Sequence, residues 1–437
     1  VASRAATSSG VDQAVFADWY RRNRQRSLAL FDLLADEAYY SQPIALRHPI
    51  VFYEGHLPAF SFNTLIKRAL GRPSIDQRLE QLFARGIDPS EADASTRTTR
   101  ELWPSRAEVQ AFAQEADAQV LAALTRDDLD RPGDPLLDRA EAPFAILEHE
   151  AMHQETLLYM WHRLPFDQKH APADYRPRAD GSVPHAEWID VPAGRATLGV
   201  NRDSIPFGWD NEFPASTADV AAFSIARHNV TNAEYLEFME KHDTIAPPLF
   251  WEPDGLSRRS ATREGGYWRG MFGLVPLPLA WPVYVSQADA EAFARWRGAR
   301  LPTEAEFQRA AYGTSGGVER RHPWGDAEPS AQHGVFDFSS WDPEPAGSHP
   351  AGRSAWGIDD LVGNGWEWTS TPFAPFAGFK PMASYPEYSA DFFDGEHYVI
   401  KGASPATARE LLRPSFRNWF RSRYPYVYAT FRLVKNA

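Results

Sequence analysis

The sequence predicts an α+β protein of two domains, a four-helix bundle followed by a mixed domain with much irregular structure. Apolar residues recur at helical spacing in four long segments before residue 166, whereas beyond residue 187 short apolar pieces alternate with long loops rich in Gly, Pro and Trp. The length of 437 residues and hydrophobic content of 43% supply enough chain for two cores rather than one.

The four segments are AVFADWYRRNRQRSLALFDLLADEAYY (14–40), HPIVFYEGHLPAFSFNTLIKRALG (48–71), SRAEVQAFAQEADAQVLAALTR (105–126) and APFAILEHEAMHQETLLYMWHRLP (142–165). Pro43, Pro104, Pro143 and Pro165 fall at or near their ends, where a helix can start or stop. An antiparallel four-helix bundle over residues 1–170 is the economical arrangement. Residues 171–187 are polar and rich in Pro and Asp, which reads as a surface linker. Residues 188–437 form the second domain. No repeat of fixed period is visible in the chain.

Composition narrows the function. The net charge is −13 and no Lys/Arg-rich block is present, which argues against nucleic acid as a partner and favours a small-molecule substrate. No apolar run approaches the roughly 20 residues that span a bilayer, and VASRAATSSG lacks the apolar core of a signal peptide, so a soluble, cytoplasmic protein with no membrane partner is expected. The chain contains no cysteine, so any metal must sit on His, carboxylate or water.

Within the fourth segment, His149-Glu150-Ala151-Met152-His153 matches the zinc-peptidase pattern H-E-x-x-H. Residues four apart on a helix share a face, so His149 and His153 can point two imidazoles at one ion. The extended peptidase form is absent, because Thr156 and Tyr159 stand where it needs Gly and His. A peptidase with a more distant Glu ligand remains a minor alternative, and on this motif alone a pair of helix histidines with no metal role stands on an equal footing. His56, in the second amphipathic segment, can face the same interior, and three His from two helices make a facial set with open positions.

A lone early His56 followed by His149, His153 and Glu155 as H-x-x-x-H-x-E resembles the N-terminal DinB-like bundle of the iron-dependent sulfoxide synthases that make ergothioneine and ovothiol, a group that includes selenoneine synthase. That resemblance implies Fe(II) on His56, His149 and His153, a structural or outer role for Glu155, and no base role for Glu150. The phrases VTNAEYLEFM, RLPTEAEFQRAAYG, HPWGD, GNGWEWTSTPF and ATFRLV resemble the formylglycine-generating-enzyme fold, a C-type-lectin-like domain. Trp366, Trp368 and Arg300 in them read as scaffold. Formylglycine generation itself needs active-site cysteines in the aerobic enzymes, and this chain has none.

Further roles follow from the same resemblance. FKPMASYPEYSADFFDG is similar to the segment carrying the catalytic tyrosine, with Tyr385 the better match than Tyr388; a phenol can hydrogen-bond activated oxygen and supply a proton. LLRPSFRNWF places Asn418 and Trp419 at substrate-contacting positions. The implied substrates are hercynine, the trimethylammonium betaine of histidine, and O2. A cation without N–H donors calls for an aromatic face, which Trp419 offers.

Two positions depart from the members that use γ-glutamylcysteine. Phe420 stands where those have an acid after the Asn-Trp pair, and Met152 where they have a Gln before the second helix His. The common G-G-S-W also reads Gly402-Ala403-Ser404-Pro405. Arg97 and Arg100 lie near the region of donor-binding arginines and read equally as solvated loop charges. The lost acid and EGHLPAFSFNTL lean toward the selenoneine-synthase branch, with a selenosugar rather than a thiol donor and C–Se bond formation at C2 of the hercynine imidazole. The alternative is an ergothioneine-type synthase forming a C–S bond from cysteine or γ-glutamylcysteine. A non-catalytic lectin-like binding module is the remote alternative.

Overall fold

The computed structural model describes residues 13–84, 103–242, 244–252 and 266–437. The chain divides into two compact units: residues 1–173 with Met382–Tyr385, and residues 174–381 with 386–437.

The first unit is helical. Its elements are α1 (Gln13–Phe31), α2 (Ile50–Ser61), a short α3 (Gln77–Leu82), α4 (Arg106–Arg126) and α5 (Glu141–Arg163). α1 and α2 each pack on both α4 and α5, which closes a four-helix bundle. Ser105 caps α4 by accepting the Glu108 N–H, and Asp76 caps α3 through the Leu79 N–H. All twelve residues of α2 are buried, so the segment read above as amphipathic is covered on every side rather than on one face. Its one charge, Glu54, accepts from Tyr39 Oη at 2.5 Å and lies 3.4 Å from the Arg106 guanidinium, so the buried carboxylate is matched.

Two features differ from the sequence reading. The first segment is helical only to Phe31; after it Leu34 bridges Lys169, the Ala35 N–H donates to Gln168 O, and a 3₁₀ turn covers Asp36–Ala38. Leu34, Ala38 and Tyr39 are still buried, so the apolar spacing past Phe31 belongs to buried turns rather than to the helix it suggested. α2 in turn runs on without a break into a π-helical stretch, Phe62–Ala69, a wider winding that is frequent at functional sites.

Among the described residues, the second unit has four small sheets and three α-helices, α6 (Asn232–Glu240), α7 (Gln287–Trp296) and α8 (Glu304–Tyr312). Thr231 with Glu234 and Thr303 with Glu306 form capping boxes at the starts of α6 and α8. The largest sheet runs Asn418–Arg421, His397–Ala403, Gly365–Pro372, Ala429–Thr430, antiparallel except for the last pair. A core of Val191, Phe223, Ile225, Phe307, Ile358, Leu361 and Val434 lies under α8. Residues 174–187, read above as linker, lie within this unit: Tyr175 donates to Asp342, and the Trp281 indole donates to Arg178 O.

The quoted phrases of this unit act as scaffold. Arg432 of ATFRLV and Glu367 of GNGWEW are both fully buried and joined by two hydrogen bonds of 2.6 Å, a bidentate pair in which each charge satisfies the other. Trp366 and Trp368 are buried, the latter donating to Val285 O, and Arg300 forks onto Glu306. No helix among the described residues is long and apolar enough to cross a membrane.

Candidate metal centre

α2 supplies His56, and α5 supplies His149 and His153 one turn apart. One ligand atom from each lies within 4.8 Å of the others, and no carboxylate joins the group among the described residues. His56 Nδ1 is 2.7 Å from Phe83 O, which can only accept, so Nδ1 carries the proton and Nε2 presents a lone pair. That Nε2 lies 3.3 Å from His149 Nε2. Two nitrogens each roughly 2.1 Å from one ion at a right angle stand about 3 Å apart, so this spacing fits a shared cation.

Ring packing fixes the other imidazoles. His149 stacks on Phe60 with centroids 3.5 Å apart and 10° between planes, and His56 stacks on Phe52. His149 Nδ1 is buried without a hydrogen-bond partner, so stacking holds this ring where an outer hydrogen bond usually does. His153 is partly exposed, the open side of the group. Burial lowers the pKa of His56 to about 4; burial and the neighbouring histidines hold His149 and His153 well below the usual imidazole value, His153 also feeling Arg47. All three imidazoles are therefore neutral at pH 7 and have lone pairs to give. Neutral nitrogen donors on three corners, with one side open, suit a borderline divalent ion with free coordination positions.

Glu150 faces the other way. Its Oε1 accepts from Ser27 at 2.6 Å and from Arg24 at 2.9 Å on α1, and Arg24 also donates to Asp117 on α4. It is not a base beside the histidines, which removes the peptidase reading. Glu150 is fully buried and Arg24 keeps its bond to Asp117 without it, so Glu150→Ala, which removes the charged hydrogen bonds to Arg24 and Ser27, is expected to cost about 1.5–3 kcal/mol in urea unfolding. Metal stoichiometry of the folded fraction should stay at the wild-type value; loss of metal without loss of stability would place Glu150 at the ion after all. Glu155 accepts from Tyr159 Oη at 2.6 Å and is buried within the bundle.

Tyr385 packs with the helical unit, because Met382–Tyr385 cluster with it. Its ring lies 5.3 Å from Phe60 and 6.1 Å from His149 between centroids. Met152, half-buried, sits one residue before His153 and so points about 100° away from it around α5.

In the second unit, Asn418, Trp419 and Phe420 lie on the edge strand of the largest sheet, all half-buried. Trp419 stacks on Phe373 at 4.2 Å and meets Tyr388 edge-on at 5.2 Å and Phe392 at 5.6 Å. The sequence reading missed these three aromatic neighbours; their signal is the aromatic density of STPF and YSADFF, which carries no periodicity. Asn418 Oδ1 accepts the Trp419 N–H at 2.8 Å, so its amide N–H2 is the part left to meet a ligand. Phe420 stacks on Tyr424. Arg97 and Arg100 lie outside the described residues.

Residues 174–437 match the sulfatase-modifying factor enzyme 1-like domain family, and residues 20–157 match the DinB superfamily. The chain is 33% identical to a hercynine oxygenase of Mycolicibacterium smegmatis over 94% of its own length and 96% of that protein. It is 36% identical to a hercynine oxygenase of Mycobacterium tuberculosis, covering 66% of this chain and 70% of that one. Ergothioneine biosynthesis protein 1 of Schizosaccharomyces pombe is 31% identical over 92% of this chain and 54% of its own length.

Proposed function

The chain belongs to the sulfoxide synthase family, in which a DinB-like bundle is joined to a sulfatase-modifying-factor domain, and from that premise we propose that it is an Fe(II)- and O2-dependent enzyme that replaces the C2–H of the hercynine imidazole and the S–H of a thiol by a C–S bond, with O2 as the four-electron oxidant, one oxygen ending on sulfur as the sulfoxide and the other leaving as water. The observation that carries this reading is the face of three neutral imidazoles, His56, His149 and His153, with Tyr385 beside it. His56, His149 and His153 would hold Fe(II), which would supply oxygen activation there.

The chain's own residues do the rest. Phe83 O and Phe60 set the His56 and His149 rings, so the donor atoms are held before any ion arrives. The phenol of Tyr385 gives a proton to reduced oxygen, which steers the reaction to bond formation at carbon rather than to oxidation of the thiol. The trimethylammonium group of hercynine has no N–H to donate. The aromatic cluster of Trp419, Phe373, Tyr388 and Phe392 meets it by cation–π attraction, and Asn418 N–H2 suits its carboxylate.

The donor is a thiol in our reading, since the relatives that span most of the chain carry names of hercynine oxygenation and ergothioneine biosynthesis. Phe420 stands where the members that use γ-glutamylcysteine have an acid, which favours cysteine over γ-glutamylcysteine. One observation favours a second reading: Phe420 on Tyr424 makes a neutral aromatic surface suited to a sugar face, hence a selenosugar donor and a C–Se product. The test loads Fe(II) anaerobically, fixes hercynine, admits O2 and compares cysteine, γ-glutamylcysteine and a selenosugar by product mass. We expect the cysteine adduct to form fastest. A faster selenium adduct would replace the donor, and no adduct from any donor would overturn the whole reading.

A further inference from the structure

The two helices that carry the histidines also carry the groups that hold Tyr385. Arg68 donates one guanidinium N–H to Ser384 O and another to Ala383 O, each at 2.9 Å. Glu141, the first residue of α5, accepts both the N–H and the O–H of Ser384 at 3.0 Å. Every polar group of the buried Ser384 is thus spoken for by charged side chains of the bundle, and the next residue is Tyr385.

The π-helical stretch explains how Arg68 reaches this place. In an uninterrupted α-helix a residue twelve positions after His56 would lie about 120° away around the axis. The wider π turns of Phe62–Ala69 wind more slowly and bring Arg68 back toward the His56 face. On α5, Glu141 stands eight residues before His149, about 80° away around the helix, and the Ser384 contacts rather than a shared helix face bring it to the Tyr385 segment.

We propose that Arg68 and Glu141 are positioning residues that fix the phenol of Tyr385 beside the three-histidine site by clamping the Ala383-Ser384 backbone. The proposal rests on the reading of Tyr385 as the proton donor. A guanidinium fork matches two successive carbonyls as a lysine ammonium cannot, and a displacement of about 1 Å at a reacting group can cost about 10²-fold in rate.

The experiment places 3-fluorotyrosine at position 385 of the full chain and compares its ¹⁹F signal with Zn(II) and with Fe(II) bound. In wild type, Fe(II) should broaden and shift the signal strongly. In Arg68→Ala and Glu141→Gln, iron stoichiometry should hold while the iron-dependent broadening falls severalfold, and C–S product formation should fall about 10²-fold with hercynine KM within about twofold. Arg68→Lys should lie between. Ser384→Ala, which removes one hydroxyl and leaves the fork, should shift the signal in the same direction but less. In metal-free protein, exchange of the Ser384 amide should quicken about tenfold or more in Glu141→Gln. Unchanged broadening in both clamp variants would overturn the proposal, as would loss of iron from them, which would make the clamp a stability device of the bundle. Absence of iron-dependent broadening in wild type would instead overturn the placement of Tyr385 at the metal, a failure of the functional reading that the variants alone would not produce.

Discussion

His153→Ala is expected to abolish stoichiometric iron binding and to lower turnover by at least about 10³-fold, the largest effect of any single substitution considered for this protein. Each of the other two imidazoles is fixed by contacts that survive the change, His56 by Phe83 O and His149 by Phe60. What remains is a two-nitrogen site that can no longer cap three corners of an ion. His153 is the partly exposed member, so alanine there opens onto solvent rather than leaving a sealed cavity, and the metal-free fold should persist. Calorimetry separates the two effects. Fe(II) at about 100 times its Kd adds about 2.7 kcal/mol to a protein that binds it only when folded, so wild type should gain several degrees in Tm on iron addition and the variant none. A variant that keeps both the iron-dependent rise and full turnover would rule out this ligand set.

The parts of this site that could be read from the sequence are those set by local spacing. His149 and His153 follow from i, i+4 geometry on a helix, and the four long helical segments follow from apolar periodicity. His56 lies 93 residues from His149, and only its position in a second amphipathic segment and the H-x-x-x-H-x-E resemblance linked the two. The Phe83 carbonyl that fixes the His56 tautomer left no mark, because a backbone acceptor has no residue type. The orientation of Glu150 was equally hidden: H-E-x-x-H is compatible with a glutamate on either side of the helix, and Arg24 and Ser27, more than 120 residues earlier, decide it. The stop of α1 at Phe31 carries no Gly or Pro, since Leu34, Ala38 and Tyr39 continue the apolar pattern in turns that bury them as well as a helix would. The π winding at Phe62–Ala69 also has no signal in residue type, yet it determines where Arg68 points. In the second unit the quoted phrases marked the fold because their charged residues are buried pairs, Arg432 with Glu367 above all. The aromatic neighbours of Trp419 escaped because strand pairing and loops bring together residues from 373 to 419.

Tyr385→Phe should have the second largest effect, and a different one. The substitution keeps the ring, and with it the contacts to Phe60 and His149, and removes only Oη. Iron stoichiometry and the iron-dependent rise in Tm should therefore match wild type. C–S product formation should fall by about 10²–10⁴-fold, the usual contribution of a positioned proton donor. Oxygen uptake should fall far less, because the three histidines and the donor are untouched, and the missing product should reappear as oxidised thiol. This redirection distinguishes a proton donor from a packing residue. Loss of a packing residue would lower oxygen uptake and product together and would reduce iron occupancy, whereas loss of a proton at one atom changes the fate of the oxygen without changing its consumption. The clamp variants at Arg68 and Glu141 should redirect in the same sense but less completely, since they misplace a phenol that is still present. Product formed by Tyr385→Phe at the wild-type rate with no thiol oxidation would show that the proton comes from elsewhere, and the Arg68 and Glu141 clamp would then hold a segment with no part in the chemistry.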